Sequence, residues 1–140
     1  MKLNEALKKK KFIVTSEVQS SIDESPEKLI ENMNLIRGRV DGISISEPDI
    51  EGVVGDSIKI CDMLNKSRFE AIYQTTTRNK DRIELQKDLL NAHRAGVDNL
   101  LVFTEDYRIT GDSLQEMMFF HVDSGKLKSV LEHLKSGEAI

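Results

Sequence analysis

The fold class is decided by residues 69–104, FEAIYQTTTRNKDRIELQKDLLNAHRAGVDNLLVFT. Residues 69–75 and 97–104 are runs typical of β-strands, rich in apolar and β-branched side chains. Between them, Asn79 is expected to cap a long helix, and Gly96 stands where a left-handed residue commonly ends one. The helix has its apolar residues at Ile83, Leu85, Leu89, Leu90 and Ala95. A strand, a helix and a second strand of these lengths predict a βαβ unit, and hence a parallel sheet.

The same alternation occurs along the rest of the chain. A strand is expected at 12–18, followed by a helix that Ser25 caps and Pro26 begins. That helix has one apolar stripe, formed by Leu29, Ile30, Met33 and Ile36. A second strand at 41–46, a helix at 55–65 and a last helix at 124–134 complete the pattern. The sequence therefore predicts four βα repeats in the α/β class, with right-handed crossovers.

Composition excludes several classes of function. A net charge of −4 and one short basic cluster, Lys8 to Lys11, do not form a nucleic-acid footprint. No segment resembles a signal peptide or a membrane span, so a cytoplasmic protein without a membrane partner is expected. The single Cys61 falls at an apolar helix position, which favours a buried core thiol. No linker divides the chain, so residues 1–140 are predicted to form one domain.

The strand count raises a question about the sheet edges. A closed eight-stranded barrel takes about 250 residues, whereas this chain has 140. Four parallel strands leave two edges that proteins usually pair or cover. Three explanations remain open: a second copy or a partner subunit covers the edges, the sequence is part of a longer protein, or the sheet flattens into a small doubly wound fold.

Candidate site residues follow the expected strands, because ligands of parallel α/β proteins bind at the carboxyl ends of the strands. They are Glu17, Ser46 and Glu47, residues 74–78, and residues 104–106. Glu17 is either a partly desolvated proton donor or a member of an ion pair, for instance with Arg78. The three threonines at 75–77 are read as strand filler rather than as ligand donors. No two histidines have metal-ligand spacing, so no metal is expected.

Several segments carry a family resemblance that extends over essentially the whole chain. They include residues 11–18 (KFIVTSEV), 40–46 (VDGISIS), 82–90 (RIELQKDLL), 95–101 (AGVDNLL) and 120–124 (FHVDS). In their order and spacing they resemble the N-terminal half of methylenetetrahydrofolate reductases, especially the short bacterial forms of acetogens. The resemblance implies half of a TIM-type (β/α)8 barrel that holds FAD and passes a hydride from a nicotinamide to methylenetetrahydrofolate.

The resemblance also assigns roles to individual positions. Glu17 matches the family's proton donor, and Asp106 matches an aspartate that approaches both flavin and pterin. The positions that would line the cofactor are Ser46, Gln74, Thr104, Glu105, Asp106, Phe120 and His121. Glu105 replaces a usual glycine and adds a negative charge beside the flavin. Three functions therefore remain open: a flavin-dependent reductase completed by another chain or a second copy, a non-catalytic accessory module that holds folate, flavin or a partner subunit, and a structural paralogue that binds no ligand.

Overall fold

The structure is a computed structural model, and it describes residues 1–9, 12–19, 24–46, 56–76, 81–103 and 132. Its elements are α1 (Leu3–Lys9), β1 (Thr15–Gln19), α2 (Pro26–Met33), a 3-10 turn (Asn34–Ile36), β2 (Gly42–Ser46), α3 (Ser57–Lys66), β3 (Ala71–Thr76), α4 (Arg82–Arg94) and β4 (Asn99–Phe103). Helices and strands alternate as the sequence predicts, and the α/β class is confirmed. The helix expected at 124–134 lies outside the described residues apart from Glu132, which is helical and exposed.

The four strands form one sheet in the order β1-β2-β3-β4. β1 pairs with β2 in parallel, and β2 pairs in parallel with β3. Residues of α2, α3 and α4 pack in one core cluster with alternate residues of β2 and β3, so these three helices have residues on the same side of the sheet. A doubly wound sheet reverses its strand order near the middle. That alternative is therefore not found among the described strands.

By internal contacts the chain divides into two units, the first formed by residues 1–74 and 91–101 and the second by residues 75–90 and 102–140. The first unit contains the hydrophobic core. Alternate residues of β2 and β3 pack there against helix residues: Ile43, Ile45, Ala71 and Tyr73 from the strands, with Leu29, Ile60, Cys61, Leu64 and Ala92 from the helices. In the second unit, Leu85 and Leu89 of α4 are buried. The expectation of one domain over 1–140 stays a prediction.

The start of α2 and the end of α4 form as the sequence predicts. The Ser25 hydroxyl accepts a hydrogen bond from Lys28 N at 3.3 Å, and Pro26 is the first helical residue. Gly96 has a φ of +74°, which residues with a Cβ rarely adopt. Gly96 N donates to His93 O and Val97 N donates to Ala92 O, both at 3.0 Å. This pair of bonds is a Schellman motif, and it satisfies the last carbonyl groups of α4.

Two local expectations are wrong, the residue that caps α4 and the start of β1. Asn79 is not the residue that caps α4: Asp81 Oδ1 accepts from Glu84 N at 2.8 Å, and Glu84 Oε2 accepts from Asp81 N at 2.9 Å. This reciprocal pair is a capping box. Ile83 is exposed, because the buried stripe of α4 follows Leu85, Leu89 and Ala92 instead. Strand β1 begins at Thr15 rather than at residue 12, and α1 was not expected at all.

Candidate functional site

Strand register places the polar side chains of three strands on one face of the sheet. Glu17 is aligned with Ser44, and Gln19 with Ser46. Aligned residues of parallel strands point to the same side, and side chains alternate along each strand. Since Ser44 is aligned with Ile72, Gln74 also lies on this side. We call the surface formed by Glu17, Gln19, Ser44, Ser46 and Gln74 the polar face; the core packs on the opposite face.

A close approach between β2 and β3 supports this assignment. A Cβ atom built on Gly42 would lie 3.0 Å from Ile72 Cδ1 and 3.4 Å from Glu70 O. The missing side chain of Gly42 therefore lets the Ile72 side chain lie over β2 on the polar face. Ile72 is itself buried. The polar face thus includes an apolar surface beside its hydroxyl and amide groups.

Ser44 and Gln74 form the buried centre of the polar face. Ser44 is 5% exposed and Gln74 is 7% exposed, so both have lost most of their contact with solvent. Gln74 Nε2 donates a hydrogen bond to Ser44 Oγ. Buried hydroxyl and amide groups cost free energy unless they are paired, and this bond joins them across two strands. The orientation of the Gln74 amide is therefore coupled to Ser44.

Glu17 lies at the third of the five positions of β1, not after the end of the strand. Its side chain is exposed in the described chain, whereas the proton-donor alternative would have it partly desolvated. The physical reason is that β1 is the outer strand of the described sheet, with β2 as its only neighbour there. Arg78, the alternative ion-pair partner, lies outside the described residues. The role of Glu17 as a proton donor stays a prediction.

Ser46 is another predicted site residue that the structure describes. It is the last residue of β2 and is half-buried. It also makes a hydrogen bond or an electrostatic contact within the chain. The structure thus brings Glu17, Ser46 and Gln74 to one face. The other predicted positions lie outside the described residues: Glu47, Thr104, Glu105, Asp106, Phe120 and His121.

The threonines after Gln74 differ from one another. Alternation along β3 turns Thr75 to the side opposite Gln74. Thr75 is buried, and within the described part of the chain its Oγ1 has no hydrogen-bond partner. Thr76 is half-buried and makes a hydrogen bond or an electrostatic contact within the chain. Thr77 lies outside the described residues. Burial opposite the polar face agrees with the interpretation of Thr75 as strand filler.

The amino ends of the strands are tied together by charged and polar groups. Glu70 Oε2 accepts from Leu3 N at 3.1 Å and from Asn99 Nδ2 at 3.4 Å. Lys2 Nζ lies 3.7 Å from Glu70 Oε1 and 3.0 Å from Asp98 Oδ2. The hydrogen bond to Asp98, followed by the charge of Glu70, raises the pKa of Lys2. These contacts dock α1 at the end of the sheet opposite to the one where parallel α/β proteins bind ligands.

Among the described residues, no group of three or more His, Cys, Asp or Glu side chains could hold a metal ion. Cys61 is buried in the core, as predicted, and His93 is exposed near the end of α4. None of the described helices is both long enough and apolar enough to cross a membrane.

Sequence reasoning missed Ser44. Its own segment, GISIS, shows only the alternation of a strand, and nothing within it points to Gln74, thirty residues further along the chain. Ser44 could have been identified only from the pairing of β2 with β3, which brings it within hydrogen-bond distance of Gln74. Compared with known proteins, the sequence matches no family model and no curated protein.

Proposed function

We propose that this chain is a cytoplasmic, methylenetetrahydrofolate reductase-like half barrel of one-carbon metabolism. A second copy or a partner subunit would supply the remaining strands of a TIM-type (β/α)8 barrel. The completed site would bind FAD and transfer a hydride from a nicotinamide to methylenetetrahydrofolate. The observation that carries the proposal is the polar face, where Glu17, Ser46 and Gln74 lie on the same side of consecutive parallel strands.

The strand order supports the half-barrel part of the proposal. In a (β/α)8 barrel, consecutive strands are neighbours, the helices lie outside, and alternate side chains point inward. The described strands follow their chain order. Helix residues pack on the side opposite the polar face. In a barrel the polar face would point inward, where the site lies near the carboxyl ends of the strands.

The polar face has suitable groups for part of a flavin. The buried Ser44–Gln74 pair offers fixed polar atoms, and Ile72 beside it offers an apolar surface. Planar cofactors bind in sites that combine apolar lining with a few well-placed polar groups. Gln74 and Ser46 would hold the cofactor, and a bound flavin would supply the hydride. Asp106 would approach both flavin and folate, as the resemblance implies.

In this proposal Glu17 delivers the proton that opens the folate ring. Its exposure in the described chain fits a site that another chain must complete, because a covering subunit would remove water from the carboxylate. Desolvation favours the protonated form of a carboxyl group, which suits proton donation. The catalytic competence of Glu17 therefore depends on assembly.

The exposure of Glu17 also favours a second candidate function. A non-catalytic folate- or flavin-binding accessory subunit could use the same polar face without a proton donor. In that case Gln74 and Ser46 would bind the ligand, and Glu17 would be a solvated surface carboxylate.

Flavin uptake and folate turnover separate these functions. The purified protein, with its solution mass measured by sedimentation, is titrated with FAD and followed by the visible flavin absorbance. We expect saturable binding and a species heavier than one chain. Glu17→Gln should abolish reduction of methylenetetrahydrofolate while the nicotinamide still reduces the flavin; Glu31→Gln, an exposed change on α2, should leave both intact.

The outcomes of these measurements distinguish the reductase from the accessory module. Flavin binding without folate reduction in the unmodified protein would support the accessory module. Full folate turnover in Glu17→Gln would remove Glu17 from the reaction. A protein that takes up neither FAD nor folate at any assembly state would refute both.

A further inference from the structure

We propose that the chain that completes the half barrel is a second copy, bound so that β1 of each copy pairs in parallel with β4 of the other. The inference rests on the half-barrel architecture of the proposed function, which it deepens by naming the partner and the strand edges that meet. It is carried by the two outer strands of the described sheet, each of which has a neighbour there on one side alone.

The two outer strands run in the same direction. Asn99, the first residue of β4, donates a hydrogen bond from Nδ2 to the backbone oxygen of Ala71, the first residue of β3, at 3.0 Å. The amino ends of β3 and β4 are therefore adjacent, as expected for parallel strands joined by a helix. Since β1, β2 and β3 are also parallel, the outer edge of β4 can continue into β1 of another copy with the strand direction unchanged.

Apolar residues beside the outer strand edges are much less buried than those of the inner strands. Leu101 of β4 is 46% exposed and Val14, directly before β1, is 44% exposed, whereas Ile45 of β2 is 0% exposed. Leu100 packs against the core, so alternation turns Leu101 to the polar face. Both sides of the sheet therefore keep apolar surface that a further strand would bury.

Neither outer strand has the residues that commonly protect a sheet edge from pairing. Lysine and proline serve this purpose in many proteins, and both are absent from β1 (TSEVQ) and from β4 (NLLVF). Glu17 is the one charged residue in these two strands. Both edges are therefore suited to pairing with a strand from another molecule.

A second copy supplies both missing neighbours at once. A twofold axis along the strand direction brings β4 of each copy beside β1 of the other, so the two contacts are identical and form together. Each described sheet contributes four strands, and eight parallel strands close a barrel. An antiparallel contact between the β1 strands of two copies would instead leave β4 unpaired. Closure keeps α2, α3 and α4 outside, because they have residues on the side opposite the polar face.

Closure also changes the surroundings of Glu17. Its carboxylate is exposed in one chain, and Leu101 lies on the same face of the sheet, on the outer strand at the opposite edge. Pairing of β1 with β4 brings Leu101 of the second copy to the strand that carries Glu17. The second copy thereby supplies an apolar neighbour that removes water from this carboxylate in the proposed reaction.

Sedimentation of the full chain over a range of concentrations, without flavin or folate, tests the self-association. We expect a species of twice the mass of one chain. Leu101→Lys places an ammonium group at the β4 edge and should weaken the association by about a hundredfold, because an unpaired charge would have to be buried. Ile83→Lys is the matched control at an exposed apolar residue of α4, and should leave the association unchanged. A single-chain mass at every concentration, or equal weakening by the two substitutions, would overturn the proposal.

Nuclear Overhauser contacts between copies test which strands meet, and they use the unmodified protein. Dimers are mixed from chains labelled at leucine methyl groups and unlabelled chains, and contacts between the two kinds of chain are selected. Within one chain, Leu101 and β1 are separated by β2 and β3, which corresponds to about 14 Å for three strand spacings. Contacts from the Leu101 methyl groups to β1 would therefore arise between copies and support the pairing. Contacts from Leu101 to β4 of the other copy, or none to β1, would overturn it.

These measurements separate the pairing from the proposed chemistry. A dimer that shows the contacts between β1 and β4 but takes up neither FAD nor folate would support the pairing and refute the function. A protein of single-chain mass that takes up FAD would refute the pairing and leave the flavin function standing.

Discussion

Raising the pH from 7 to 10 should destabilise the protein through Cys61. This residue of α3 is 0% exposed in the core, and burial raises the pKa of its thiol from 9.0 to about 12. In the unfolded chain the thiol is in water and ionises near its ordinary value. Above that value the unfolded state loses its proton while the native state keeps it. Native stability is therefore complete below about pH 9 and falls as the pH rises towards about 12.

The magnitude follows from these two pKa values. One pKa unit corresponds to about 1.4 kcal/mol. At pH 10 the unfolded thiol is about nine-tenths ionised, whereas the native thiol is almost entirely protonated. Linkage between the two states then lowers the free energy of unfolding by about 1 kcal/mol relative to pH 7.

Chemical denaturation at both pH values, in the unmodified protein and in Cys61→Ala, isolates this contribution. Lysines and tyrosines also titrate in this range, but they do so in both proteins and cancel in the difference. The unmodified protein should lose about 1 kcal/mol more than the variant between the two pH values. Equal losses would show that the Cys61 thiol is accessible to water in the native state, and would refute the packing of α3 on the sheet.

The remaining stability predictions use the same denaturation assay. Asp81→Ala removes the cap of α4 and should cost about 1 kcal/mol; no loss would show that another residue caps the helix. Gly96→Ala should cost about 1 kcal/mol, because nothing crowds the position but its φ is positive. Leu64→Ala, at 0% exposure, should cost about 2–5 kcal/mol, whereas Leu35→Ala on the surface should change stability by less than about 0.5 kcal/mol; similar costs would contradict the placement of the core.

The elements that the sequence predicts best are those with local causes. Ser25 and Pro26 begin α2 because a hydroxyl cap and a fixed φ act on the next few residues alone. Gly96 ends α4 because its backbone conformation needs no Cβ. The capping box of Asp81 and Glu84 had the same kind of local signal, an acid followed three residues later by a glutamate, and could have been found.

The site residues were harder to predict because their environment comes from other strands. The exposure of Glu17 depends on β1 being the outer strand of the described sheet, which its own sequence cannot reveal. Ser44 acquires its partner only through the pairing of β2 with β3. The residue types alone show which positions are polar, whereas strand register determines which polar side chains contact one another.

The placement of the flavin on the polar face can be tested most directly with isoleucine methyl groups. In a protein labelled at isoleucine Cδ1, FAD is added while the methyl NMR signals are followed. Ile72 lies on the polar face, whereas Ile43 and Ile45 lie in the core on the opposite face. The proposal predicts a large ring-current shift for Ile72 and little change for Ile43 and Ile45. Shifts at Ile43 and Ile45 with an unchanged Ile72, or no shift in any of the three, would contradict it.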